Sequence, residues 1–162
     1  MKKLLSFLLV PVVLMSLAAP MCAADFSVTA GSVLASSTAV TRTGTAGATI
    51  TAGQVVYKHS GGTYKLAKAD AVATAQAVGI ALHGASSGQP LKIVVKDDDF
   101  TPGASSTEGM HVQLSSGTAG GITGTAADVT TGAFPFLIGI VLDGGHWKID
   151  FEAQLRTDSA LP

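Results

Sequence analysis

Apolar and polar positions alternate in short bursts along most of the chain, and the bursts end at turn signals rich in glycine, serine and aspartate. From Asp25 onward the pattern predicts strands at Phe26 to Thr29, Thr49 to Ile50, Val55 to His59, Tyr64 to Ala67 and Ala77 to Leu82. It predicts further strands at Leu91 to Val95, His111 to Leu114, Phe136 to Leu142 and His146 to Phe151. Ser60-Gly61-Gly62 and Asp143-Gly144-Gly145 read as hairpin turns, because glycine reaches positive φ without a Cβ clash. Helical spacing is absent after Asp25 except for Ala67 to Ala77, whose alanines fit either a short helix or a loop. Short strands so regularly punctuated define an all-β domain, a small β-barrel or sandwich.

The order of these signals is repeated. Gly53-Gln54-Val55-Val56-Tyr57, Ser60-Gly61-Gly62, Ala69-Asp70 and Gly79-Ile80-Ala81-Leu82 form the first set. Gly109-Met110-His111-Val112-Gln113, Ser116-Gly117, Ala127-Asp128 and Gly139-Ile140-Val141-Leu142 form the second. The offset grows from 56 at Gly53 and Gly109 to 58 at Asp70 and Asp128 and 60 at Gly79 and Gly139, as small loop insertions would produce. The echo reads as an internal duplication or as chance recurrence in a chain rich in Gly, Ala and Thr. A glycine inside a strand, as at Gly79 and Gly139, marks a bend or the close approach of another backbone.

The beginning of the chain has another character. Lys2 and Lys3 precede an apolar run from Leu4 to Leu17, and Cys22-Ala23-Ala24 stands where a peptidase would cut before Asp25. The run is short for a bilayer span, so residues 1–24 read as a signal peptide, and the membrane is a partner only through it. An uncut anchor or a misassigned start is the alternative. Residues 25–48 read as an extended N-terminal arm, and residues 49–162 as the β-rich domain.

Composition narrows the function. Of 162 residues 24 belong to the leader, which leaves 138, room for one domain. Losing Lys2 and Lys3 from 10 basic residues against 11 acidic ones takes the net charge from −1 to −3. A mildly acidic domain with no basic cluster lacks the footprint of a nucleic-acid binder. The one cysteine, Cys22, lies in the leader, so the processed chain has no disulfide, thiolate metal site or cysteine nucleophile.

Candidate chemistry is sparse. His59, His83, His111 and His146 have no metal-ligand spacing and read as mostly solvated. Asp97-Asp98-Asp99 lacks the arrangement of a calcium loop and reads as a solvated turn. Trp147, beside a turn, is either a ligand platform or a core residue, and its alternation with Ile149 and Phe151 favours the core face. No nucleophile elbow or phosphate-cradling loop is present, so no catalytic, cofactor-binding or metal residue is assigned and no enzyme is expected.

The run Thr45 to Tyr57, followed by Tyr64 to Asp70, Val78-Gly79-Ile80-Ala81-Leu82 and Ser87-Gly88-Gln89-Pro90-Leu91, resembles small structural proteins of tailed bacteriophages and prophages. Gly117 to Asp128 and Ile138 to Val141 resemble their second half, so the likeness covers Phe26 to Phe151. These proteins are regarded as capsid decoration or cement proteins. The resemblance implies an all-β virion protein that binds the major capsid protein of an assembled shell and stiffens it, as a trimer or another symmetric homo-oligomer. It also implies that the arm 25–48, able to add a strand to a partner's sheet edge, is the contact element. A signal peptide is foreign to that family, which assembles in the cytoplasm. The alternative is an exported periplasmic or secreted β-domain that binds a surface polymer or an envelope partner.

Overall fold

The computed structural model describes residues 25–124 and 132–153. Residues 1–24, read above as a signal peptide, and the Ala127-Asp128 part of the echo lie outside the described residues. The described chain is all-β, a curled antiparallel sheet with no long helix. Its strands are β1 (Val40–Thr45), β2 (Val55–Lys58), β3 (Tyr64–Leu66), β4 (Ala77–Ala81) and β5 (Pro90–Phe100). They continue as β6 (His111–Leu114), β7 (Ile122–Thr123), β8 (Leu137–Val141) and β9 (Trp147–Asp150). The alanine-rich stretch after Ala67 is a loop of turns, since alanines alone cannot offset helix nucleation over so few residues.

Neighbouring strands follow the order β3-β2-β4-β5-β9-β8-β6-β7, with β1 also paired to β5. The two ends of that order repeat one another. In the first, Val55 faces Ile80, Val56 faces Gly79, and a bulge follows Val56 before Tyr57 meets Ala77. In the second, His111 faces Ile140, Val112 faces Gly139, and a bulge follows Val112 before Gln113 meets Leu137. The hairpin pairs match too: Tyr57 with Lys65 and Lys58 with Tyr64, then Gln113 with Thr123 and Leu114 with Ile122. The offsets of the sequence echo are therefore the offsets of the ladder, 56 for the first strand of each set and 60 for the third.

Gly79 and Gly139 show why the echo preserves them. A Cβ on Gly79 would sit 2.5 Å from the carbonyl oxygen of Val94, and one on Gly139 would sit 2.0 Å from that of Lys148. Val94 and Lys148 are themselves equivalent, since they face Ile80 and Ile140. Each half thus curls until one strand's backbone lies on its neighbour's, and only a residue without a side chain fits there.

Each curl is drawn together at its open edge by one main-chain contact. In the first, Ala46 bridges Tyr64, and the Gly47 N–H donates to the Tyr64 carbonyl at 2.7 Å. This completes a half-barrel of β1, β5, β4, β2 and β3. In the second, built from the end of β5 with β9, β8, β6 and β7, the Phe26 N–H donates to the Ile122 carbonyl at 2.8 Å. Leu34 and Thr101 exchange two further bonds, and Thr29 donates to Gly103. Residues 25–48, read from the sequence as an extended N-terminal arm that contacts a partner, lie instead on the chain's own sheet. Their few apolar side chains explain it: Val33 is buried, and Phe26 and Val28 pack on the core. The strand expected at Phe26 to Thr29 is reduced to the bonds of Phe26 and Thr29, and the one at Thr49 to Ile50 to a bridge between Ile50 and Ala85.

β5 runs five residues past Val95, where the sequence pattern predicts its end, because Asp97-Asp98-Asp99 is strand and not turn. Leu91, Ile93, Val95 and Asp97 follow one alternation, all buried, and a register shift between Asp97 and Phe100 lets the strand recover. Trp147, Ile149 and Phe151 lie buried on one face of β9, and Lys148 and Asp150 point the other way. Gly139→Ala should lower stability by about 1–3 kcal/mol through the forced backbone shift. Gly31→Ala, whose Cβ would meet nothing within 4 Å, should be nearly neutral. Urea denaturation of both variants checks this, and an unchanged midpoint for Gly139→Ala would refute the close-approach account.

Candidate functional site

The predicted site residues do not converge. His83 accepts the Lys92 N–H through Nε2 at 3.0 Å, which stitches the turn between β4 and β5. His59 Nδ1 accepts the Gly61 N–H within the β2–β3 turn, and His146 pairs with Asp99. His111 is exposed on β6. Among the described residues no group of three or more His, Cys, Asp or Glu side chains could hold a metal ion. The Trp147 indole N–H donates to Ser106 Oγ at 2.9 Å, and its ring lies 5.3 Å from Phe26 and 6.3 Å from Phe100.

The aspartate run divides its work. Asp97, 1% exposed, accepts the Ser36 N–H at 2.8 Å, the Ser36 hydroxyl at 2.6 Å and the Asp99 N–H at 3.0 Å. Three donors satisfy a buried carboxylate that would otherwise be costly. They pin the 34–40 segment over β5, so that Leu34 and Val40 remain exposed on either side of it. Asp98 pairs with Lys148 at 2.9 Å, and Lys96 with Asp150 at 3.0 Å. Arg42 pairs with Glu152. These pairs cross the seam where β5 passes from β1 to β9. Being exposed, each adds little stability and serves mainly to fix register.

Asp150 and Lys96 perturb one another across the seam. Burial opposes the ionisation of Asp150, but the Ala153 N–H, the Lys96 ammonium and the Glu152 N–H together hold its carboxyl below the usual 3.8. The hydrogen bond and charge of Asp150 in turn raise Lys96 above 10.5.

Several depressions lie on the described surface. One of about 290 Å³ lies between Asp25–Val28 and the Thr118–Ile122 turn, and one of about 490 Å³ between Thr101–Ser106 and Gly144–His146. Both are bounded largely by turns. Two others adjoin and share Lys58 and Val78. The first of these, about 370 Å³, is lined by Arg42, Thr43, Lys58, Tyr64, Val78 and Ile93. Those six come from β1, β2, β3, β4 and β5, so this depression is the mouth of the first half-barrel, a position where β-barrels commonly take ligands. Tyr64, Val78 and Ile93 make an apolar floor, and Arg42 and Lys58 stand at the rim. The second, about 340 Å³, continues the floor past Ala77 to Phe136 and Phe151, whose rings stack 6.0 Å apart. Nothing in the sequence marks this mouth, because its residues are scattered over five strands and the first of them lies in the stretch read as an arm.

Set against family models, curated proteins and solved structures, the chain matches none.

Two measurements test the site's framework. Asp97→Ala should cost about 1–3 kcal/mol by orphaning the Ser36 donors and should speed amide exchange across residues 34–40; unchanged exchange there would show that Asp97 does not hold the segment. The stability that separates the parent from Asp150→Asn should be full above pH 3.8 and vanish as pH falls through the lowered value in the folded chain. A difference that persists under stronger acid would contradict the assigned ion pair.

Proposed function

We propose that the chain is a non-catalytic structural protein that binds an assembled phage capsid shell and stabilises it, in the manner of decoration or cement proteins. The observation that supports this most is how the residues carrying the resemblance fold. Thr45 to Tyr57, Tyr64 to Asp70 and Val78 to Leu82 run from the end of β1 through β2, β3, β4 and their connections, all within one half-barrel. Ile138 to Val141 supplies β8 at the matching place in the other. The segments that carry the likeness thus fall at matching places of a repeated unit, which supports the reading.

The chemistry of the surface agrees with a binding role. Charged side chains along the seam are taken up in pairs, and Leu34, Val40, Val72 and Leu137 are exposed apolar groups suited to a protein contact. The major capsid protein is the partner this reading names, with the chain acting as a homo-oligomer, a trimer among the symmetric options.

A second reading, an exported β-domain with an envelope partner, is favoured by Lys2, Lys3, the apolar run Leu4 to Leu17 and Ala23-Ala24. Intact mass and cell fraction of the protein made from its native gene separate the two. Under the first reading the chain sediments with particles. A species beginning at Asp25, found in the periplasm or medium and free of particles, would overturn it in favour of the second.

A further inference from the structure

The correspondence of the two half-barrels extends to the mouth and there breaks down. Arg42 faces Ile93 as Phe100 faces Trp147, and Lys58 faces Tyr64 as Leu114 faces Ile122. Val78 precedes Gly79 as Ile138 precedes Gly139. The residues equivalent to Arg42, Lys58, Tyr64, Val78 and Ile93 are therefore Phe100, Leu114, Ile122, Ile138 and Trp147. All five of the latter are buried. The ring of Phe26 covers that end of the second half, 5.3 Å from Trp147, while its N–H holds the Ile122 carbonyl.

The first half has the same carbonyl in the same place, but its donor is Gly47, a residue without a side chain. No ring enters. Two of the five apolar positions have become the cations Arg42 and Lys58. The outcome is an open depression of about 370 Å³ where the other half has a sealed core.

We propose that this mouth binds an extended segment of a protein partner that presents an aromatic side chain beside a carboxylate. The aromatic ring would lie on Tyr64, Val78 and Ile93 as the Phe26 ring lies on Trp147. The carboxylate would meet Lys58, which has no ion-pair partner among the described residues, and Arg42, which would exchange its exposed contact with Glu152 for the new one. The outer edge of β1, which among the described strands pairs with β5 alone, borders the mouth and offers main-chain groups to an extended backbone. This deepens the reading above by giving the partner's contact segment a chemistry, and it rests on that reading for the partner's identity.

The probe is an acetylated and amidated peptide, Asp-Phe-Ser-Val-Thr, the sequence of residues 25–29 that carries the chain's own plug, compared with its Lys-Phe-Ser-Val-Thr counterpart. Each is titrated into the full chain while backbone amide resonances are followed. The expected result is movement of the Tyr64, Val78 and Ile93 resonances, with the aspartate peptide binding about fivefold more tightly than the lysine peptide. Lys58→Glu should reverse that preference, and Val78→Trp, which fills the mouth from within, should abolish the movement while the remaining spectrum stays folded. Equal affinity for the two peptides, or movement centred on Ile122 and Trp147, would overturn the proposal. A chain that sediments with particles yet gives none of these shifts would retire the mouth and leave the shell reading. A chain that binds the peptide but never sediments with particles would do the reverse.

Discussion

Strand β5 has to serve both halves of the molecule, and the rest of the fold is arranged around that requirement. Its first residues pair with β1 on one side and β4 on the other, and its last pair with β9. An eleven-residue strand is long for a domain of this size. The extra length is what lets two short curls share one backbone instead of standing as separate barrels. The changeover falls at Lys96, which is paired with Val40 of β1 and with Asp150 of β9. Lys96 and Asp150 are separated by 54 residues, the same interval that carries Ile93 to Trp147 and Val94 to Lys148. The Lys96–Asp150 pair of the second half is therefore the counterpart of Val40–Lys96 in the first, and Lys96 belongs to both halves.

A second seam closes the assembly on the far side. The turn between β6 and β7 inserts Gly120 at the edge of the first half, where its N–H donates to Ala67 at 2.6 Å and its carbonyl accepts from Val55 at 3.0 Å. The Ala69 N–H donates to Ser115 nearby, and that of Phe134 donates to Ala69. With contacts on both sides, neither half can open without exposing the other's core. The difference between them is local: the second half borrows Phe26 from the N-terminal stretch to cover Trp147, and the first half has no such lender. A repeated unit with one end covered and one end open has a chemical polarity that its backbone does not.

Most of this architecture could be read in the amino-acid order, and the gaps have physical causes. β2, β4, β6 and β8 announce themselves because buried strands need apolar runs and their turns need glycine. The echo was meaningful because Gly79 and Gly139 answer a steric demand that allows no alternative. β1 escaped notice because Val40-Thr41-Arg42-Thr43-Gly44-Thr45 has almost no apolar alternation; it is an exposed strand held by main-chain bonds to β5. The end of β5 was misread because three aspartates imitate a turn, and only the Ser36 donors, 61 residues away in sequence, make a buried Asp97 affordable. The mouth was illegible for a different reason. Its character comes from a ring that is absent beside Gly47 and present at Phe26, a comparison that can be made only once the two halves are laid on one another.

Native-state hydrogen exchange on the β4 and β8 amides tests the shared-strand account most directly. The account predicts that Gly79 to Ala81 and Gly139 to Val141 exchange through one global opening, with the same free energy and the same dependence on denaturant. Exchange of the β8 amides through a smaller opening, with those of β4 still protected, would mean that the halves fold separately and that β5 does not bind them into one unit.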